Sequence, residues 1–259
     1  DPVIEPTNTL NIPEDEITAW HGSPYDFPPV TELISHKHGG MVLVDKNKYP
    51  DWTQHPDINP SEFDYVAEHA LGKFDSSRIG TGEGAQAYGH GLYFAQRQGT
   101  AEGYKYNTSK GSAFYKSLQE GDITKAENIL GNDKGKLYEV KIKAKEEEFL
   151  DFDAILDDQE NLLVKLEASD LNYAVDAVYN QNIGLNPTGG DLLNIINDGE
   201  APAEVAARLN RIGIKGIKYK DAQTRFSPKG ATYNYVVFDD KLVSIANKYS
   251  VSLFAAGSI

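Results

Sequence analysis

Segment 79–95, IGTGEGAQAYGHGLYFA, constrains the fold more than any other, because five glycines are packed into it and the last precedes a short apolar run. Glycine lets the backbone turn sharply and approach a ligand closely. The run Leu92-Tyr93-Phe94-Ala95 predicts a buried strand that brings aromatic side chains to whatever the loop binds. In such a strand Leu92 and Phe94 point to one face and Tyr93 to the other.

Two other segments read as strands that carry polar groups. Near the beginning, a short apolar strand over 17–20 runs into His21, Gly22 and Ser23, and near the end the chain reads YNYVVF over 233–238. A histidine there can offer a ring nitrogen to a sugar hydroxyl, although most single histidines are structural. The three segments together predict a nucleotide site assembled from distant parts of the chain.

Two tyrosines in this region can form a slot for a flat ring. Tyr104 follows Tyr93 by eleven residues, beyond a turn. If their rings face each other, they can hold a ring such as nicotinamide by stacking and by cation–π attraction to the oxidised pyridinium. Ordinary core packing of both tyrosines is the alternative.

Composition excludes several classes of protein. The 259 residues carry a net charge of −14, which argues against broad binding to nucleic acid but permits a small anionic ligand. The absence of cysteine excludes disulfides and thiolate chemistry. We see neither a signal peptide nor a stretch long enough to span a membrane, so we expect a soluble protein. The first residue is Asp1, which we interpret as the start of a processed product or an excised piece.

The pattern of strands around a helical middle predicts a single α+β domain. We expect an extended lead-in over 1–16 and the domain over 17–259, with an insertion near 28–73 and a helical excursion near 146–210. Within the insertion, an apolar stripe predicts a helix over 61–71 with Ser61 as N-cap. Further strands are expected over 137–143, 213–220 and 233–239, with a strand or helix over 243–249.

The three segments resemble the ADP-ribosyltransferases, in the branch that shares the diphtheria toxin and poly(ADP-ribose) polymerase pattern. That pattern has a His-Gly-Thr/Ser strand, a Gly-x-Gly-Leu/Ile-Tyr-Phe-Ala strand, a second Tyr about eleven residues later and a late strand that carries a catalytic Glu. The longer stretches 79–95 and 233–245 are also similar to ADP-ribosyltransferase-like domains of phage and prophage polyvalent proteins. The matching residues are His21-Gly22-Ser23, Gly89 to Ala95, Tyr104 and Asn234 to Phe238.

The resemblance implies a split β-sheet core and a glycosyltransferase that uses NAD as substrate and requires no metal. It would transfer single ADP-ribose units to a macromolecule, for which we expect a host protein, and release nicotinamide. By resemblance, His21 would hold a ribose hydroxyl, Gly22 would pair with the nicotinamide amide, and Tyr93 and Tyr104 would enclose the ring. Arg78 and Arg97 are candidates for the pyrophosphate. The predicted NAD-binding residues are His21, Gly22, Ser23, Arg78, Gly91, Tyr93, Phe94 and Tyr104.

The sequence departs from the pattern at Asn234, where the family has its catalytic glutamate. An amide oxygen accepts a hydrogen bond but carries no charge to offset a sugar cation. Another acid can do this work, and Glu83 is the first choice, ahead of Asp221, Asp239 and Asp240. Alternatively the acceptor brings its own carboxylate, or the domain binds without catalysis. The predicted catalytic residues are Glu83, Tyr93 and Asn234.

Two alternative functions stay open from the sequence. One is a catalytically inactive NAD-fold module that serves in interaction or in a virion, and the other is an NAD glycohydrolase. The resemblance also implies membership of a larger phage polyprotein or particle, with the host cytoplasm or the virion as location. Acids over 151–158 and histidines over 36–55 lack the spacing of a metal site, so we expect no metal.

Overall fold

The computed structural model describes residues 16–23, 25–35, 39–79, 87–105, 117, 120–122, 136–181 and 185–250, with the backbone alone at 102–105 and 250. These residues form a seven-stranded mixed sheet, a three-stranded sheet and five α-helices. The predicted α+β class is therefore confirmed. The strands are β1 (Ile17–Ser23), β2 (Val30–Ser35), β3 (Gly40–Asp45), β4 (Tyr65–His69), β5 (Leu92–Ala95), β6 (Lys136–Ile142), β7 (Phe149–Asp151), β8 (Gly216–Lys220), β9 (Tyr233–Val237) and β10 (Val243–Ser250). The helices are α1 (Gln98–Lys105), α2 (Glu160–Glu167), α3 (Asn172–Gln181), α4 (Gly189–Ile196) and α5 (Pro202–Arg211).

The large sheet has the order β10-β6-β1-β5-β9-β8-β7. All neighbours are antiparallel except β7 and β8, which are parallel. The register between β1 and β6 has seven residue pairs, whereas that between β1 and β5 has one, Trp20 opposite Ala95. The sheet therefore consists of two blocks, β10-β6-β1 and β5-β9-β8-β7, that meet at a short seam. We call this place the β1–β5 seam.

Two apolar clusters cover the faces of the large sheet. On one face, helices α2 to α5 pack with Val236, Ile217 and Leu150. On the other face, Phe94, Tyr138 and Tyr235 form an aromatic cluster. Side chains within one strand separate as expected, because Leu92 and Phe94 join the aromatic cluster while Tyr93 packs with the helices.

Segment 28–73 contains the small sheet, in the order β3-β2-β4. The predicted helix over 61–71 is wrong. Asn59, not Ser61, caps a 3₁₀ turn over Pro60–Glu62, and β4 then pairs with β2, with Val66 opposite Leu33. Local spacing favoured a helix, but pairing with a distant strand determined the conformation, as is common for short segments rich in β-branched and aromatic residues.

The helical excursion is confirmed in its main part and corrected at its beginning. Strand β7 lies within the range predicted as helical, because it pairs with β8, with Leu150 opposite Ile217. The predicted strands over 137–143, 213–220 and 233–239 correspond to β6, β8 and β9, and the chain's last described element, β10, is a strand. The lead-in over 1–16 lies outside the described residues apart from residue 16. Among the described helices, none has the length and apolar character needed to cross a bilayer.

Candidate functional site

The β1–β5 seam brings together two of the three segments that the sequence singled out. Trp20 and Ala95 form the single described residue pair between β1 and β5, and the imidazole of the next residue, His21, contacts β5. Its Nδ1 lies 2.9 Å from the backbone carbonyl oxygen of Tyr93. A side chain thus makes a contact at the place where the strand ladder ends.

The contact with Tyr93 fixes the tautomer of His21. A carbonyl oxygen can only accept, so Nδ1 must carry the proton and donate it. Burial lowers the pKa of His21 below 6.5, and the hydrogen bond to the Tyr93 carbonyl opposes this shift in part. The ring is therefore neutral at pH 7, with a lone pair on Nε2. No described residue hydrogen-bonds Nε2, which leaves it able to accept a proton donor such as a sugar hydroxyl.

His21 and Tyr93 lie on opposite faces of the sheet. The His21 ring lies among the aromatic cluster, 5.7 Å from Phe94 and 6.4 Å from Tyr138 between ring centroids. Tyr93 packs on the helical side, and its hydroxyl donates to the Gly89 carbonyl at 2.7 Å. A ligand that contacts both side chains must therefore reach both faces of the sheet.

Four predicted site residues occupy structural positions around the seam. Phe94 is buried in the aromatic cluster and packs against His21, and its predicted contact with NAD stays a prediction. Ser23 is buried, and its Oγ accepts from the Tyr25 amide at 3.1 Å. Gly91 is required by close packing, because a Cβ there would lie 2.6 Å from Cγ1 of Val236. Gly22 lies in β1 opposite Leu137 and is partly accessible.

Asn234 lies on the helical face of the sheet, next to the seam. It is opposite Ala95 in β5, which is itself opposite Trp20 in β1, and opposite Tyr219 in β8. Asn234 is 4% exposed, and its Oδ1 is buried without a hydrogen-bond partner among the residues that the structure describes. Leaving a buried acceptor unpaired costs about 1–3 kcal/mol. Native proteins have few such groups, and each calls for an explanation.

The described candidates for a substitute acid have structural roles. Asp221 is buried, and its carboxylate accepts from the Thr100 hydroxyl at 2.6 Å and from the Gln223 amide at 2.9 Å. Asp239 caps the 3₁₀ turn over Asp240–Leu242, and Asp240 accepts from the Ser76 amide at 2.7 Å. Both follow β9 at the end remote from Asn234. Glu83 lies outside the described residues.

Comparisons with protein-family models, with curated proteins and with solved structures found no match to this chain. Within the described ranges, no group of three or more His, Asp or Glu side chains could hold a metal ion.

The remaining predicted residues lie near the ends of the seam elements. Arg97 is exposed and lies two residues after β5, immediately before α1. Arg78 has an 82% exposed side chain and lies 3.5 Å from Asp75. Tyr104 lies in α1, but its side chain is outside the described part, so the predicted pair of tyrosine rings stays a prediction.

Sequence reasoning missed the residues that surround His21. Phe74 meets the imidazole edge-on at a centroid distance of 5.1 Å, Phe27 lies at 6.3 Å, and Tyr138 lies opposite His21 in β6. The alternation of apolar and polar residues over 137–143, LYEVKIK, placed Tyr138 on the apolar face of its strand. It could not show which strand would lie beside it, because strand pairing is set by the whole fold.

Proposed function

We propose that the protein is a mono-ADP-ribosyltransferase that uses NAD as substrate, with the split β-sheet core of that family. The observation that carries the proposal is that the ladder between β1 and β5 has a single residue pair and that the His21 side chain bridges the two strands beside it. Residues of the His-Gly-Ser and Gly-Leu-Tyr-Phe-Ala segments flank this seam, and the strand of Asn234 lies next to it. The order and residue types of these segments match those of the family that they resemble. The seam alone would not indicate that family.

In this proposal the two ends of NAD lie on the two sides of the seam. Nε2 of neutral His21 accepts a ribose hydroxyl, and the backbone of Gly22 pairs with the nicotinamide amide. The rings of Tyr93 and Tyr104 hold the nicotinamide as it leaves. Arg97, with its exposed side chain at the start of α1, is available to the pyrophosphate.

Asn234 supplies a hydrogen-bond acceptor at the position of the family's carboxylate. Its unpaired Oδ1 is suited to a ribose hydroxyl, which donates one proton. Because the oxygen is buried, a ligand reaches it only when the residues that cover it move. The nicotinamide leaves with the electron pair of the glycosidic bond, and the acceptor's nucleophile bonds to the ribose and loses a proton. We assign stabilisation of the developing positive charge to Glu83.

The proposal is tested by incubating the protein with NAD and measuring free nicotinamide. We expect release that is abolished or strongly reduced in Glu83→Gln, because a charge-stabilising group typically contributes 10²-fold or more. Glu147→Gln, which changes an exposed acid in a 3₁₀ turn, is the matched control and should release nicotinamide at the wild-type rate.

The same assay with labelled NAD and a cell extract separates the three candidate functions. Label on protein supports a transferase, whereas nicotinamide release without label indicates a glycohydrolase. Saturable NAD binding without nicotinamide release would indicate an inactive binding module. Unchanged turnover in Glu83→Gln would remove Glu83 from the mechanism.

A further inference from the structure

The two chain segments that lead into and out of the small sheet meet over His21. Phe27, just before β2, and Phe74, just after β4, lie 5.2 Å apart between ring centroids. Both also contact His21. The approach is so close that a Cβ on Gly72 would lie 2.7 Å from Cβ of Phe27. The residues that flank segment 28–73 on its two sides therefore supply two of the aromatic rings around His21.

The first of these segments is tied to the large sheet through one hydroxyl group. Tyr138 Oη accepts from the Phe27 amide at 2.7 Å and donates to the Tyr25 carbonyl at 3.1 Å. Its ring stacks on Phe27 at 4.5 Å with an interplanar angle of 16°. Burial raises the pKa of Tyr138 to about 12, so the hydroxyl keeps the proton that it donates.

A second tie reaches the same segment from β10. Lys248 Nζ donates to the Phe27 carbonyl at 2.6 Å and lies 2.6 Å from an Asp26 carboxylate oxygen. Lys136 lies 3.7 Å from the other oxygen of Asp26. The backbone at Phe27 is thus held at both its amide and its carbonyl.

We propose that Tyr138 is a positioning residue of the site, because its hydroxyl holds Phe27 against His21 and so fixes the imidazole at the seam. The described hydrogen bond of the His21 ring is the single one to Tyr93, so its orientation depends on the rings around it. Without the hydroxyl, Phe27 loses a backbone partner and its ring no longer excludes water from the imidazole. Among the described residues, the charged or titratable groups around this contact are Tyr138 and Lys136 from β6, Lys248 from β10 and Asp26 from the connecting segment.

The effect on His21 is independent of the proposed function, whereas the effect on NAD affinity rests on it. With a mobile ring, the Nε2 lone pair points to the ribose for a smaller part of the time. We expect NAD affinity to fall about tenfold, which corresponds to the loss of one well-formed hydrogen bond.

The test compares Tyr138→Phe with Tyr235→Phe in the full chain. Tyr235 is equally buried on the same face, and its hydroxyl donates to Glu146 at 2.8 Å, away from His21. Nitrogen-detected NMR of the histidine rings, assigned with His21→Gln, reports the pKa and tautomer of His21. In Tyr138→Phe we expect the pKa to rise towards 6.5 and the tautomers to mix, and in Tyr235→Phe neither should change.

Lys248→Met removes the hydrogen bond to the Phe27 carbonyl and should also raise the pKa of His21 and mix its tautomers. This variant decides the question if Tyr138→Phe does not fold. The proposal is overturned if the titration of His21 is unchanged in the Tyr138 and Lys248 variants, or if Tyr235→Phe changes it equally. Should wild-type protein bind no NAD, the proposed function fails, while the His21 titration still decides the role of Tyr138.

Discussion

At the scale of single residues, Asn234 is the least expected feature of the fold. A strand residue with so little exposure would normally be apolar, and here it is an amide whose oxygen meets no hydrogen-bond partner in the described part of the chain. Such a group weakens the folded state, so a ligand that pairs with it accounts for its presence better than stability does. Residues that serve a site are often retained at a cost in stability.

Replacing Asn234 by Val should therefore separate stability from activity. We expect the free energy of unfolding in urea to rise by about 1 kcal/mol, because a buried unpaired acceptor is removed from a strand. Nicotinamide release should fall about tenfold or more with the loss of the hydrogen bond. Asn247→Val is the control: it removes an amide that donates to Glu139 at 2.8 Å, and it should not stabilise the protein. A destabilised Asn234→Val variant would contradict this account of Asn234.

His21 predicts a dependence of stability on pH. Burial lowers its pKa in the folded chain, so below pH 6.5 the unfolded chain binds the proton first. Stability is then complete above about pH 6.5 and is lost as the pH falls from there towards the folded pKa, by about 1.4 kcal/mol for each unit of difference. Urea unfolding between about pH 5 and pH 7.5 measures this slope while carboxyl groups stay largely ionised.

In that experiment His21→Gln should flatten the slope over the range, because the titrating group is gone. His55→Gln changes a histidine in segment 28–73, beside Tyr49, and should keep the wild-type slope. Equal slopes in wild type and His21→Gln would show that His21 does not titrate differently in the two states.

At the scale of elements, close packing between β5 and β9 holds one side of the seam in place. Gly91→Ala should reduce the free energy of unfolding by about 2 kcal/mol, because its Cβ would lie 2.6 Å from Val236 and 2.8 Å from the Val237 carbonyl oxygen. Gly99→Ala, in the first turn of α1, meets nothing within 4 Å and should be neutral or stabilising by up to about 1 kcal/mol. Urea denaturation compares the two, and similar stabilities would refute the packing argument.

If the protein transfers ADP-ribose as proposed, we expect the loop between β8 and β9 to contact the acceptor. It leads directly to Asn234, and Phe226 in it is 92% exposed. Phe226→Ser should reduce labelling of acceptor protein about tenfold, as loss of an aromatic anchor does, and leave nicotinamide release without acceptor unchanged. Leu185→Ser changes a 70% exposed residue before α4 and should leave both unchanged. An equal decrease in acceptor labelling and in nicotinamide release would indicate that Phe226 contributes to NAD binding instead.

The sequence predicted elements where local pattern and final pairing agree. Strand β5 with its apolar run and strand β6 with its alternation are examples, and so is the separation of Tyr93 from Phe94. Strands β4 and β7 were not predicted, because β4 forms by pairing with β2 and β7 by pairing with β8, and each partner is distant in the sequence. The same limit applies to the site. The motifs of β1, β5 and β9 could be recognised in the sequence, but the rings that pack on His21 come from segments that only the folded chain brings together.

At the scale of the whole molecule, the fold places one candidate site between two blocks of a sheet and under the ends of a second sheet. Segment 28–73 begins and ends beside His21, while helices α2 to α5 cover the face that carries Tyr93 and Asn234. The proposed NAD site thus depends on contacts from most of the described chain. This arrangement explains why its parts are distant in sequence.

In the proposed function, His21 and Asn234 contact the same nucleotide from the two sides of the β1–β5 seam. An NMR titration with NAD that follows the His21 ring nitrogens and the Asn234 side-chain amide together tests this contact. We expect both signals to shift and to saturate at the same NAD concentrations. Shifts in one residue alone, or in neither at up to about 10 mM NAD, well above the usual range of substrate affinities, would contradict it.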